Sequence, residues 1–179
     1  MTLRQMLFEA PDGRREALWV EHLRGSLYRV LNPPVWYYGV SVGSTVEAGP
    51  ESPGELLALA RVVSPSEGGT VRCVVPQGAK ASEVYKARVL EEARSLGIGL
   101  GPATFYDPRL VSIHVRSRGD CWPAFGGLLE RLRKEGIVME WEFADPERDA
   151  SPESQERVED RAILFHQLPV EGSPSRDVS

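Results

Sequence analysis

The second half of the chain alternates apolar and polar residues as strands do, and two stretches of helical periodicity interrupt this alternation. The strand pattern is clearest in Thr70–Val75, Leu110–Arg116 and Val138–Phe143. Leu100–Tyr106 is a weaker example. Apolar residues recur every three or four positions between the first and second of these four runs in chain order, and again between the third and fourth. This spacing is typical of amphipathic helices. The resulting order, strand, helix, strand, strand, helix, strand, is that of a ferredoxin-like βαββαβ sandwich.

The first part of the chain also favours β structure, in shorter runs. Ala17–Leu23 and Ser26–Leu31 are strand-like, and the Arg24-Gly25 pair between them indicates a hairpin turn. The aromatic and β-branched residues of Val35–Val42 predict another strand, and Thr45–Ala48 predicts a short one. We also expect most of 55–63 to form a strand that continues across 64–69 into the second half. Several short strands in this region predict a small β-barrel.

These patterns predict an α+β fold in three parts. Residues 1–66 form a small β-barrel-like domain, residues 67–145 a ferredoxin-like α+β domain, and residues 146–179 an acidic, mostly flexible tail. The tail carries eight acidic residues and four arginines, and the formal net charge of the whole chain is −5. A nearly neutral body with an acidic tail is a poor electrostatic match for nucleic acid, so we do not expect a nucleic-acid partner.

One stretch of the tail, Ala162–Val170, is apolar. We expect it either to dock on its own protein, for instance as an edge strand, or to bind a partner.

Neither a membrane nor a secretory route is indicated by the sequence. No apolar run approaches the roughly 18–20 residues that a membrane-spanning helix needs. The beginning of the chain lacks the apolar core and the small-residue cleavage site of a secretory signal. We therefore expect a cytoplasmic protein. The two cysteines, Cys73 and Cys121, do not have the spacing of metal ligands, and no cofactor or metal site is predicted.

One face of the predicted second sheet is polar. Alternation turns Arg72, Ser112, His114, Arg116, Glu140 and Glu142 away from the helices. This face is either a polar surface for a ligand or partner, or a set of cross-strand charge pairs on a solvated sheet. A run of three aromatic residues, Trp36-Tyr37-Tyr38, belongs either to the barrel core or to an exposed patch for a partner. The candidate binding residues are therefore Trp36, Tyr37, Tyr38, Arg72, His114, Arg116, Glu140 and Glu142.

Two side chains have the chemistry of catalytic groups but lack the neighbours that catalysis needs. His114 could act as an acid or base beside Glu142, but no nucleophile is predicted near it. Cys121 is expected at the N-terminus of the second helix, where the helix dipole favours a thiolate, but Asp120 opposes that effect. The sequence contains no phosphate-binding loop, zinc-protease motif or hydrolase elbow. We assign no catalytic residue.

A set of turn and core residues in the first half follows a family pattern. It comprises Leu18-Trp19-Val20, Gly25, Tyr28, Asn32-Pro33-Pro34, Gly39-Val40-Ser41, Gly43 and Val46-Glu47-Ala48, followed by Arg61-Val62-Val63 and Thr70-Val71-Arg72. The set resembles the opening motif of a bacterial family catalogued as domain of unknown function 4265. The resemblance covers about Ala17 to Asp145 and departs at Ser44, where the family usually has an aspartate. The family brings no established reaction, so no catalytic residue is carried over.

The function expected from the sequence is that of a non-catalytic cytoplasmic protein-binding module, such as a toxin-neutralising, immunity-like protein or a regulatory subunit. It would bind another protein through the aromatic cluster, the polar sheet face or the acidic tail. The alternative is a small-ligand sensor that uses the sheet face or a cleft between the domains. A third hypothesis is an enzyme that uses Cys121 or His114.

Overall fold

Nine strands and two helices make up the described part of the chain, which in this computed structural model comprises residues 2–10, 13–49, 56–76, 79–106, 109–117 and 121–144. The strands are β1 (Leu3–Glu9), β2 (Arg15–Arg24), β3 (Leu27–Val30), β4 (Thr45–Ala48), β5 (Leu57–Ser64), β6 (Gly69–Val74), β7 (Leu100–Phe105), β8 (Leu110–Val115) and β9 (Glu140–Phe143). The helices are α1 (Ala79–Ser95) and α2 (Cys121–Lys134). None of the helices found among these residues is long and apolar enough to cross a membrane.

Strands β1 to β5 form the first sheet, which closes on itself. It closes because β1 pairs antiparallel with β2 on one side and parallel with β5 on the other. Alternate residues point inward and form a buried apolar core that includes Met6, Phe8, Leu18 and Val20. The hairpin predicted between β2 and β3 is confirmed, with Gly25 at a φ of +53° that glycine adopts without strain.

Two expectations about this first half are wrong, and one strand was missed. The missed strand is β1, although Met6 and Phe8 alternate inward. The segment 35–42 is not a strand but an irregular stretch between β3 and β4. Strands β5 and β6 are not continuous, since they belong to different sheets.

The second sheet contains four antiparallel strands in the order β7-β8-β6-β9. Its elements follow one another along the chain in the order that the alternation predicted. Inward residues of the sheet, such as Val71 and Ile113, share one buried core with Tyr85 and Val89 of α1 and Phe125 of α2. This core confirms the predicted apolar face and places Cys73 in the interior.

The predicted fold class needs a correction. We expected an α+β chain in which a small barrel is followed by a ferredoxin-like sandwich with a solvated outer face. The described residues are instead mostly β, with nine strands in two sheets and only two helices. The helix-free face of the second sheet is also not open, because residues from the first half of the chain cover it. Alternation misses this cover, since it reports which residues share a face and not what lies against that face. The predicted domain boundaries stay predictions, and residues 146–179 lie outside the described residues.

The glycine pair in α2 shows where this helix approaches the sheet. A Cβ on Gly126 would lie 3.4 Å from the Trp141 ring of the sheet, in van der Waals contact with it. A Cβ on Gly127 would meet nothing within 4 Å, so Gly127 does not face the sheet closely.

Candidate functional site

Residues 31–44, which we call the strap, connect β3 to β4 and lie across the helix-free face of the second sheet. The carbonyl of Pro34 accepts a hydrogen bond from Ser112 on β8 at 2.6 Å. Farther along, the Ser41 and Thr70 hydroxyls are 2.8 Å apart, and the amide of Gly39 donates to the carbonyl of Ala144 at 3.1 Å. Pro33 and Pro34, at the beginning of the strap, have no amide proton and cannot donate to a strand ladder.

A buried ion pair lies beneath the strap. Arg72 on β6 and Glu142 on β9 are each 2% exposed, and their Nη1 and Oε1 atoms are 3.1 Å apart. The strap completes the network, because Arg72 Nη2 donates to the carbonyl of Tyr37 at 2.6 Å and Tyr38 Oη donates to Glu142 Oε1 at 2.8 Å. The Arg72 guanidinium also stacks over the Tyr38 ring, 4.0 Å from its centroid. The predicted charge pairing across these strands is therefore present, but it is buried and not solvated.

The environment of this network keeps Tyr38 in its donor form. Burial raises the pKa of the Tyr38 hydroxyl well above its usual value, and the neighbouring Glu142 carboxylate raises it further, while Arg72 opposes both. Two atoms of the pair, Arg72 Nε and Glu142 Oε2, have no hydrogen-bond partner among the described residues. Arg72 Nη2 and Glu142 Oε1 are therefore hydrogen-bonded to the strap, while the other two atoms leave the buried network incomplete within the described residues.

Glu16 on β2 fixes the beginning of the strap. Its carboxylate accepts hydrogen bonds from the backbone amides of Val35, Trp36 and Tyr37, at 2.8, 2.8 and 2.7 Å. Hydrogen bonds to an ionised acceptor are stronger than those between neutral groups. Three such bonds to one carboxylate tie the strap to the first sheet at one end, while Arg72 and Glu142 tie it to the second sheet.

Replacing Glu16 with glutamine should loosen this anchor. We expect Glu16→Gln to lower the free energy of unfolding by about 1.5–3 kcal/mol, because the amides lose their charged acceptor. Amide hydrogen exchange at residues 35–37 should become faster. Glu21→Gln is the matched control, since Glu21 lies on the same strand and its pair with Arg29, at 3.6 Å, is partly exposed. Unchanged exchange at these three amides would contradict the assignment.

His114 is enclosed and not poised for catalysis. Its Nδ1 atom is 3.1 Å from the carbonyl oxygen of Gly69. A Cβ added to Gly68 would lie 2.4 Å from the imidazole Cε1, and one added to Gly101 would lie 2.5 Å from Cδ2. The cross-strand neighbour of His114 is Thr70, whereas that of Glu142 is Arg72, and β6 lies between the two strands that carry His114 and Glu142.

The described part of the structure contains no accessible cysteine thiol. The side chain of Cys121 lies outside the described part of the structure. Cys73 is fully buried, and this burial raises the pKa of its thiol to about 12. No group of three or more His, Cys, Asp or Glu residues that could hold a metal ion occurs within the described ranges.

The aromatic run lies between the two sheets and not on an open surface. Trp36 is buried, with the Arg14 guanidinium 4.2 Å from its ring centroid and the ring of Tyr106 at 5.2 Å. Tyr37 and Tyr38 are half-buried, and Tyr37 packs edge-on against Phe8 of the first sheet at 5.4 Å. Of the eight candidate residues, only Arg116 is fully exposed, and Glu140 is half-buried.

The outer face of β1 and β2 exposes apolar residues that we did not select from the sequence. Trp19, Leu3 and Leu23 are 49%, 50% and 37% exposed, and we call these three residues the Trp19 face. The backbone of Trp19 is fixed, because its amide donates to the side chain of Asn32 at 2.7 Å and its carbonyl accepts from the amide of Leu31 at 2.9 Å. Alternation could have found this face, since inward Leu18 and Val20 place Trp19 outward.

Comparisons with known proteins identify a family and a fold. A family model described as a domain of unknown function (DUF4265) matches residues 16–140. No curated protein matches the chain. A solved structure, described as a novel crystal structure of a hypothetical protein from Neisseria gonorrhoeae, is similar with a TM-score of 0.58. The two sequences are 11% identical, and the alignment covers 80% of this chain and 94% of that chain. At this identity the likeness concerns the fold alone.

Proposed function

The chain belongs to the DUF4265 family, and from that premise we propose that it is a non-catalytic protein-binding module of the cytoplasm, such as a toxin-neutralising or regulatory subunit. The observation that carries the proposal is the Trp19 face. On β1 and β2 of the closed sheet it presents a half-exposed indole and two leucines, Leu3 and Leu23.

The physical properties of the Trp19 face suit protein recognition. Tryptophan is enriched among the residues that dominate binding energy, because its large ring buries much apolar area when a partner covers it. Gln5 and Glu21 lie opposite Trp19 and Leu3 in the strand register, so polar groups surround the apolar ones. Because Asn32 and the closed sheet already hold Trp19 in place, binding has little backbone entropy to lose.

The sheet face that we first selected does not support the alternative of a small-ligand sensor. Arg72, Ser112, His114 and Glu142 are buried. Three of them, Arg72, Ser112 and Glu142, bond to the strap. The sheet face, one of the two surfaces that the sensor hypothesis named, is therefore occupied by the chain itself. His114, enclosed by two glycines, gives the enzyme hypothesis no accessible acid or base.

Trp19→Gln tests the proposal. We expect the native chain, purified with an affinity tag from its own organism, to retain one protein in stoichiometric amount. Trp19→Gln should weaken binding of that protein, once purified, by about 30-fold, the effect of losing a residue worth about 2 kcal/mol. Leu96→Gln is the matched control, since Leu96 is equally exposed but lies at the end of α1. Equal affinity of the Trp19 variant, or repeated recovery of the chain alone, would overturn the proposal.

A further inference from the structure

An apolar cluster spans the two halves of the chain. It contains Ala10 after β1, Val35 and Trp36 of the strap, and Val74 and Leu110 of the second sheet, all at most 8% exposed. The area between these side chains stays buried only while the strap lies against the second sheet. Separating the two sheets would return it to water, which is unfavourable in proportion to the apolar area exposed.

The linker between the two sheets is tied to the strap as well. Residues 65–68 connect β5 to β6, and the amide of Ser66 donates to Ser44 Oγ at 3.2 Å. The same oxygen accepts from the amide of Ser41 at 3.1 Å, and the Ser41 hydroxyl lies 2.8 Å from that of Thr70 on β6. Linkers that let two domains move independently are exposed and make few contacts. These bonds instead join the linker, the strap and β6, so the linker is not a free hinge.

The buried polar groups of the second sheet depend on the strap for their hydrogen bonds. Arg72 and Glu142 each bond to a strap tyrosine, and the Ser112 hydroxyl donates to a strap carbonyl. Glu16 in turn holds residues 35–37 of the strap on β2 through three amide bonds. If the first sheet unfolded alone, the strap would lose this anchor, and the groups beneath it would lose the partners that the folded chain gives them.

We propose that the strap joins the two sheets into a single cooperative folding unit, in which neither sheet unfolds without the other. The boundary predicted near residue 66 then separates two sheets and not two independently stable domains. The unit includes the Trp19 face, because the Trp19 amide donates to the side chain of Asn32 at the start of the strap. A partner bound there stabilises the second sheet as well, since binding to the folded state stabilises everything that unfolds together with the site. The cooperative unit itself does not depend on the proposed function.

Native-state hydrogen exchange on the full chain tests the proposal. The slowest amides of one cooperative unit exchange through the same global unfolding. We therefore expect the slowest amides of β2 in the first sheet and of β8 in the second to report the same free energy of opening. They should also show the same dependence on urea concentration, because the same surface is exposed when either opens.

Two variants extend the test, one on each side of the strap. Glu16→Gln, on the first sheet, should speed exchange of these amides in both sheets by the same factor, about 10- to 150-fold for the loss of stability expected above. Tyr38→Phe removes the hydrogen bond to Glu142 on the second sheet and should likewise affect β2 as much as β8. Glu21→Gln is the matched control, because its partly exposed pair with Arg29 does not involve the strap, and it should leave exchange in both sheets unchanged.

Two outcomes would overturn the proposal. The first is a different free energy of opening, or a different urea dependence, for the slowest amides of β2 and β8 in the unaltered chain. The second is a Glu16→Gln or Tyr38→Phe variant that speeds exchange in one sheet and leaves the other unchanged. Either result would show that the two sheets unfold independently in spite of the strap. If a variant changes neither sheet, the comparison in the unaltered chain still decides the question.

Discussion

Glu142→Leu is expected to lower the free energy of unfolding by about 3–5 kcal/mol, the cost of leaving a buried charge without its partner. Arg72, 2% exposed, would keep its charge and retain only the Tyr37 carbonyl and the Tyr38 ring as polar or cation–π neighbours. Urea denaturation followed by tryptophan fluorescence measures the loss as a lower midpoint.

Two further variants show whether this loss comes from the unpaired charge. Arg72→Met combined with Glu142→Leu removes both charges and should recover most of the stability, because well-packed apolar groups can replace a buried pair. Recovery is incomplete because the Tyr38 hydroxyl loses its acceptor. Glu9→Leu is the matched control, since its pair with Arg15 is even shorter, at 2.7 Å, but exposed, and should cost under about 1 kcal/mol. A Glu142→Leu loss no larger than this control would contradict the role of the pair.

Gly68→Ala is expected to cost about 3 kcal/mol or more, at the upper end of what overpacking costs. The added Cβ would lie 2.4 Å from the His114 ring and also 2.4 Å from the carbonyl oxygen of Val115. A side chain can rotate away from such a clash, but a carbonyl in the β8 backbone cannot move without disturbing its ladder. Thermal or chemical unfolding measures the effect.

Gly101→Ala separates the two sources of the clash. The three atoms nearest to its Cβ all belong to the His114 side chain, with Cδ2 at 2.5 Å. In a His114→Ala background the added cost of Gly101→Ala should therefore disappear, while that of Gly68→Ala should persist. Gly127→Ala is the control, because its Cβ meets nothing and it should stabilise α2 by up to about 1 kcal/mol. Equal rescue of both glycine variants would show that the Val115 carbonyl is not the obstacle.

Most of the elements could be predicted because their signals are local. Alternation found β2, β3, β4, β6, β8 and β9, since each has one apolar face. It correctly placed Val71, Cys73 and Ile113 beneath the helices. The strap was mistaken for a strand because Val35–Val42 has the composition of one. Composition does not show that three backbone amides of this segment bind the Glu16 carboxylate. It also does not show the contacts that hold the strap on the second sheet.

The candidate site was predicted in part. Sequence placed Arg72 and Glu142 on one face of adjacent strands, and the structure pairs them. The sequence did not show that the strap buries this pair. Arg72 and Glu142, which were predicted to bind a ligand or partner, are therefore interior residues that connect the strap to the second sheet. Trp19 belongs to the family pattern but was not among the predicted binding residues, although alternation with the inward Leu18 and Val20 places it on the outer face.

By itself, the sequence determined the order of most elements, the apolar face of the second sheet and the shared face of Arg72 and Glu142. Only the tertiary structure decided that the first sheet closes and that the strap covers the polar face. The physical reason is the range of the interactions. Alternation reports neighbours a few residues apart, whereas the hydrogen bond from Tyr38 to Glu142 joins residues 104 positions apart.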